Sequence, residues 1–168
     1  WSGDLSGTAN PATMTMDANK AVTAVFNRES SGSEGTLIMT CDNSYELYLN
    51  GERVGSGNNW MAAQTYALTF MAGENVLAVK GQDAGGAAAL LAELTVDGQR
   101  IGTSAGWKVN TSEGSGWMSP GFDAGGWPSA SEYGAYGVGP WSTRVSGMPA
   151  DTPALWIWSA DNAGDNTV

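Results

Sequence analysis

Histidine is absent from this 168-residue sequence. Its absence excludes Ser-His-Asp and Cys-His catalysis, His-ligated zinc, His general bases and haem held by His. Cysteine is nearly absent too. Cys41 stands alone, so an internal disulfide and a Cys-ligated zinc site are both impossible. Its flank Leu37-Ile38-Met39-Thr40 reads as a strand, which makes it a small buried thiol. Basic residues are few, with 7 Lys and Arg against 17 Asp and Glu for a net charge of -10. Such a chain has no electrostatic footprint for nucleic acid or anionic lipid. No run approaches the roughly 20 apolar residues of a membrane span, and no basic-then-apolar signal segment opens the sequence, so no membrane insertion is expected. Opening on Trp1 and stopping at Val168, just after an apolar strand-like segment, the sequence reads as an excised piece of a longer protein. Its signals, anchors and neighbouring domains would lie elsewhere.

What the sequence does contain is apolar surface and punctuation. A hydrophobic share of 42% is enough for a packed core, which argues against intrinsic disorder. The 24 Gly cluster in Gly-Gly, Asn-Gly and Asp-Gly pairs between short apolar runs, the pattern of an all-β protein. Residues 87–94 are rich in Ala and Leu, good helix formers. Gly85-Gly86 before them and Asp97-Gly98 after them favour a buried strand instead.

The alternation of apolar and polar residues predicts two short strands in the first 26 residues, carried by Met14 and Met16 and by Val22, Ala24 and Phe26. Residues 27–35 contain no apolar side chain and read as a linker. Denser strands follow at 36–41, 44–49, 52–54, 64–70, 75–80, 87–96, 99–102, 107–110 and 154–159. In 44–49, Tyr45, Leu47 and Leu49 share one face while Glu46 and Tyr48 share the other. Asn50-Gly51 then supplies the positive φ angles of a two-residue hairpin turn, and Asp97-Gly98 repeats the device. Strands joined by turns favour a sandwich or barrel. Residues 55–59 read as a flexible polar loop. Residues 114–139, with Trp117, Phe122, Trp127, Tyr133 and Tyr136 among Gly, Ser and Pro, read as a long irregular segment, either functional or tied down by its aromatics.

Two resemblances add to this reading. The first 26 residues, from Trp1-Ser2-Gly3-Asp4-Leu5-Ser6-Gly7 through Asn10-Pro11-Ala12-Thr13-Met14-Thr15-Met16-Asp17 to Val22-Thr23-Ala24-Val25-Phe26, resemble the closing strands of the internalin-type repeat of bacterial surface proteins. From Thr36 to Val168 the chain resembles galactose-binding-like jelly-roll domains attached to glycoside hydrolases, polysaccharide lyases and adhesins. That likeness rests on Asp42-Asn43-Ser44-Tyr45-Glu46-Leu47-Tyr48-Leu49-Asn50-Gly51, Gly73-Glu74-Asn75-Val76-Leu77-Ala78-Val79, Leu90-Leu91-Ala92-Glu93-Leu94, Gly106-Trp107-Lys108-Val109 and the aromatics Trp117, Phe122 and Trp127. Phe122-Asp123-Ala124-Gly125-Gly126-Trp127 departs from the family pattern by lacking a second acid. The resemblance implies an antiparallel jelly-roll β-sandwich over 36–168, behind a short N-terminal β fragment at 1–26. The same sandwich serves as a sugar-binding module, a spacer or an adhesive domain.

Sugar recognition needs flat aromatic faces against pyranose C–H groups and polar groups for the hydroxyls. Of the 8 Trp, Trp107 and Trp127 read as packing residues, and of Trp156 and Trp158, which alternate with Ile157 in a strand, at least one faces the core. The candidate carbohydrate-binding set is Asn58, Asn59, Trp60, Trp117, Tyr133, Tyr136 and Trp141, each with a packing role as its alternative. Asp161-Asn162-Ala163-Gly164-Asp165 spaces oxygen donors along a Gly-containing loop. Asp161, Asn162 and Asp165 are therefore candidate ligands for a structural calcium, with Asp42, Asn43, Asp83 and Asp97 further candidates if they converge. Solvated turn acids are the alternative, and no cofactor is required. Paired carboxylates can cleave glycosides, but nothing in the spacing fixes a pair. The sequence also lacks a phosphate loop or nucleophile elbow, so no catalytic residue is assigned. The reading is a non-catalytic carbohydrate-binding module, secreted or on the cell surface, that holds a neutral or weakly charged polysaccharide or glycan. Its rival is a structural or adhesive module without a sugar site.

Overall fold

The computed structural model describes residues 2–6, 13–15, 17–23 and 32–168. It divides into two compact units, Trp1–Ser30 and Ser31–Val168. In the first, β1 (Ser2–Gly3) pairs antiparallel with β2 (Val22–Thr23). Asp4 closes that pair by accepting the Ala21 N–H on its carboxylate at 2.8 Å. Thr13, Met14 and Thr15 form no strand, in contrast to the alternation expected there. Met16 and residues 24–26 of the expected second strand lie outside the described residues.

The second unit is a β-sandwich, all-β with no helix among the described residues. Its strands are β3 (Glu34–Asp42), β4 (Ser44–Leu49), β5 (Glu52–Gly57), β6 (Gln64–Thr69), β7 (Leu77–Gln82), β8 (Ala89–Val96), β9 (Gln99–Gly102), β10 (Ser131–Ala135) and β11 (Leu155–Trp158). A six-stranded sheet runs β10-β11-β8-β3-β6, with β9 also on β8, and a three-stranded sheet runs β5-β4-β7. All these pairings are antiparallel. The turns form as their residues predict. Asn50 and Gly51 have φ of 53° and 88°, and Asp97 and Gly98 have 50° and 75°, the positive pair that a tight hairpin demands.

Two apolar clusters result. Between the sheets, Leu37, Met39 and Cys41 of β3, Leu90 and Ala92 of β8 and Ile157 of β11 meet Tyr45 and Leu47 of β4. On the outer face of the larger sheet, Ala89 and Leu91 of β8 and Trp156 of β11 are covered by Trp141, Val145 and Met148. Strand β8 is therefore buried on both faces. That explains why its sequence is a continuous apolar run with no alternation. Burial pushes the Cys41 thiol up, so it packs as an inert small residue.

Several boundaries differ from the sequence expectation. The 52–54 strand extends to Gly57, so Gly55, Ser56 and Gly57 belong to β5 and not to a flexible loop. Both glycines are required by close packing: a Cβ on Gly55 would strike the Tyr66 ring and one on Gly57 the Tyr45 ring. β3 starts at Glu34, two residues into the expected linker tail. Residues 107–110 form no strand, only a turn and an isolated bridge from Lys108 to Ser129. β10, inside the segment expected to be irregular, is an edge strand with a bulge between Glu132 and Gly134.

Gly102 sits where β9 passes residues 153–154, and a Cβ there would lie 2.5 Å from the Ala154 Cα. Backbone cannot yield as a flexible side chain can, so Gly102→Ala is expected to destabilise the unit by about 2 kcal/mol through overpacking. A urea melt with unchanged m-value checks this.

Candidate functional site

The end of β3 carries Asp42, and Asn43 follows it before β4 begins. Because Ser44 of β4 pairs with Gln82 of β7, the next residue on that side, Asp83, is brought beside Asn43. The Asn43 N–H donates to the Gln82 carbonyl at 2.9 Å, and the Asp83 N–H donates to the Asn166 carbonyl at 2.9 Å. Asn43 Oδ1 accepts the Ala84 N–H, and Asn43 Nδ2 donates to Asp42 Oδ1 at 2.9 Å. Asp83 Oδ2 accepts the Gly85 N–H at 2.9 Å. These bonds build a polar cleft lined by Asn43, Ser44, Gln82, Asp83, Asn166 and Thr167.

The electrostatics of the cleft are unbalanced. Asp83 Oδ1 is buried with no hydrogen-bond partner, a costly state for a carboxylate oxygen. Burial raises the Asp42 carboxyl above its usual range; the Trp141 hydrogen bond opposes this and the nearby Asp83 charge adds to it. The cleft thus carries one unsatisfied carboxylate oxygen, with a second acid near enough to feel its charge.

Behind Asp42 lies the aromatic part of the site. Trp141 Nε1 donates to Asp42 Oδ2 at 2.9 Å, and its ring stacks on Trp156 with centroids 4.6 Å apart. At 1% exposure, Trp141 anchors Asp42 and offers no open face. Trp60 is half-buried on the same outer face, and its carbonyl accepts the Thr40 hydroxyl at 2.8 Å. Arg144 lies over the Trp60 ring, 5.1 Å from its centroid. The Trp60 loop is tied to the Arg144 loop by the Ser146 N–H, which donates to Met61 O, and by the Ala63 N–H, which donates to Ser146 O. Tyr136 belongs to the same wall and donates to the Val145 carbonyl at 3.0 Å.

The other candidates are placed differently. Asn58 and Asn59 are exposed, and Asn59 Oδ1 accepts the Met61 N–H at 3.2 Å, shaping the turn that presents Trp60. Tyr133 donates to the Ser159 carbonyl at 2.7 Å. Trp117 lies across the sandwich from Trp60, edge-on to Tyr48 of the smaller sheet and beside Trp127. Asp161 Oδ1 accepts the Ala163 and Gly164 N–H groups, Asn162 O accepts the Ala88 N–H and Asp165 O accepts Trp158 Nε1. Of these three side chains, the Asp161 carboxylate caps its own turn. Asp97 instead bonds Ser33 at 2.9 Å. Among the described residues, no group of three or more His, Cys, Asp or Glu side chains gathers as a metal site. Asp42, Asn43 and Asp83 converge. Arg144, which composition did not single out, completes the site. Its signal was faint: an Arg in a Gly-rich loop whose partner is 84 positions away is invisible without the tertiary fold.

Comparison with known proteins gives the fold a context. No family model matches the chain. An alignment 120 positions long, covering 63% of this chain and 12% of the other protein, is 31% identical to an alpha-L-rhamnosidase of Streptomyces avermitilis. Among solved structures, a lectin from Pleurotus ostreatus in complex with GalNAc is similar over 69% of this chain and 36% of its own, with 29% identity and a TM-score of 0.63. The same lectin without ligand gives 30% identity and an equal TM-score. The Streptomyces avermitilis rhamnosidase complexed with L-rhamnose matches with 26% identity and a TM-score of 0.55, over 73% of this chain and 13% of the enzyme. The sandwich is thus similar to domains of a lectin and a rhamnosidase, consistent with the galactose-binding-like fold. With no family model matching, the internalin-type likeness of residues 1–26 is without support.

Proposed function

We propose that the Ser31–Val168 unit is a carbohydrate-binding module without catalysis of its own, secreted or displayed on a cell surface. Its site is the Asp42-Asn43-Asp83 cleft and the adjoining Trp60. The observation that carries the reading is the unpartnered, buried Asp83 Oδ1, whose charge reaches Asp42; Trp60, with Arg144 over its ring, shares the outer face of the Trp141 that holds Asp42. Sugar hydroxyls take carboxylate and amide acceptors, and the apolar pyranose face takes an indole. The likeness to a lectin solved with GalNAc supports the same class of ligand.

A calcium ion is part of this proposal. Calcium takes carboxylate and backbone carbonyl oxygens, and the unpartnered Asp83 Oδ1 is the cleft oxygen it would take. When bound, it would neutralise the paired acids and offer open coordination positions to hydroxyl oxygens. Asn43 lines the cleft beside Asp83, and Trp141 fixes the adjoining Asp42, so the acceptor geometry is set before ligand arrives. With both Asp42 oxygens already bonded, the pair is better suited to holding a sugar than to a proton relay.

Titration calorimetry against GalNAc, L-rhamnose and a panel of neutral polysaccharides tests this, in calcium and in chelator. Saturable heat is expected with at least one sugar, lost in chelator. Trp60→Ala should weaken the affinity about tenfold, the worth of one aromatic contact, while the calcium-induced rise in Tm survives. Asp83→Asn should remove both. No saturable binding anywhere in the panel would leave the structural or adhesive reading in its place.

A further inference from the structure

The core between the two sheets contains a gap. A cavity of about 320 Å³ is bounded on the core side by the buried Leu90, Ile157 and Trp158, and on the solvent side by the exposed Lys108, Thr111, Ser112 and Glu113. Protein interiors are close-packed and leave few voids larger than a water molecule, so a space of this size is not ordinary core. Its remaining walls are aromatic. Trp107, Trp117, Phe122 and Trp127 all line it and all are half-buried. Trp127 meets Phe122 edge-on at 5.3 Å and Trp117 at 6.4 Å with a tilt of 33°, so the rings hold one another at fixed angles around the space. The charged residues of the lining are Lys80, Lys108 and Glu113. Lys80 is paired with Glu113, whereas Lys108 has no ion pair among the described residues. On a chain of net charge -10, this lining carries surplus positive charge.

We propose that this cavity is a second binding site, for a small flat aromatic molecule that carries a carboxylate, with its rings among the four aromatic side chains and its acid at Lys108. Size follows from the volume. An apolar cavity of roughly 150 Å³ takes up benzene, so the space here accommodates a fused pair of rings. Flatness follows from the walls, because aromatic side chains make their best contacts with another ring, edge to face or offset. The charge follows from Lys108: at the solvent side a carboxylate gains a charge-assisted hydrogen bond while keeping part of its hydration, which avoids the cost of burying an ion. A sugar does not suit this space. Its hydroxyls would lose water against Leu90 and Ile157 without gaining partners. The polar cleft and this cavity share Thr167 in their linings, but the acids and amides of the one and the aromatics and lysines of the other are separate sets.

Titration calorimetry of the 168-residue chain with 2-naphthoate, and with its neutral counterpart 2-naphthamide, tests the assignment. One equivalent of naphthoate is expected to bind with a Kd of about 1 mM or tighter, equally in calcium and in chelator, and about fivefold more tightly than the amide. Lys108→Met should abolish that preference and leave naphthamide binding unchanged. Ala124→Phe, which places a ring in the cavity wall, should weaken both probes at least tenfold, with its Tm measured alongside. Lys108 is exposed, so the Lys108→Met arm stands even where the Ala124→Phe chain does not fold. Absence of saturable naphthoate binding, its loss in chelator, or an acid-to-amide preference that survives Lys108→Met would each overturn the proposal.

Discussion

Trp141→Ala is expected to destabilise the Ser31–Val168 unit by about 4 kcal/mol, close to the upper range for removal of a buried aromatic. Two losses combine. The indole is 1% exposed and stacks on Trp156 at 4.6 Å, so its removal opens a cavity on the outer face of the larger sheet where no second sheet can collapse inward. Its N–H is also the donor to Asp42 Oδ2, and that oxygen would be left in a partly buried cleft beside the Asp83 charge. Trp141→Phe separates the two contributions. It keeps most of the stacked area and forfeits the hydrogen bond, for an expected cost of about 1 to 2 kcal/mol, since a bond to a charged acceptor is involved. Urea unfolding of both variants gives the ratio. A Phe variant as damaged as the Ala variant would mean that the Asp42 bond, and not the stack, holds this layer together.

The same residue explains where sequence reasoning succeeds and where it stops. Alternation located β4 correctly because Tyr45, Leu47 and Leu49 bury one face while Glu46 and Tyr48 remain outside. Asn50-Gly51 and Asp97-Gly98 were legible as turns because positive φ is a local requirement. The continuous apolar run of β8 was legible as a buried strand, although its cause, a second cluster outside the sheet, was not. Trp141 and Trp60 illustrate the limit. Both stand among Gly and polar residues, and their local sequences are equally loop-like. One is sealed between its own 137–154 segment and the larger sheet, and the other is half-buried with an Arg over its ring. Only the long-range packing of that segment on β8 and β11 distinguishes them. Gly55 and Gly57 misled for the opposite reason: glycine marks both flexible loops and places where rings approach the backbone. The convergence of Asp42, Asn43 and Asp83 depends on the β4–β7 register, about 40 residues apart in sequence.

Arg100→Ala is expected to lower Tm by about 5 °C at neutral pH, since the guanidinium is itself exposed but its loss leaves the buried Glu93 carboxylate without a partner. Glu93, on β8 at 3% exposure, accepts Arg100 Nε at 2.6 Å and Arg100 Nη2 at 3.0 Å. Arg100 also reaches Asp151 at 2.9 Å, which locks β9 to the 149–152 turn. The Arg100 hydrogen bonds hold the Glu93 carboxyl below its usual range, against the opposing effect of burial. The sign of the pH dependence follows. A carboxyl lowered in the folded state contributes stability that is fully present above its unfolded pKa, about 4.3. That stability is lost as pH falls through the folded value. In the Arg100→Ala chain Glu93 has burial without its partner, so its carboxyl moves upward and protonation relieves the strain. The gap in Tm between parent and variant should therefore be widest at pH 7 and close progressively as pH falls through the carboxylate range. A gap that stays constant between pH 7 and pH 4 would mean that the guanidinium acts through packing of its stem against β8 and not through its charge on Glu93.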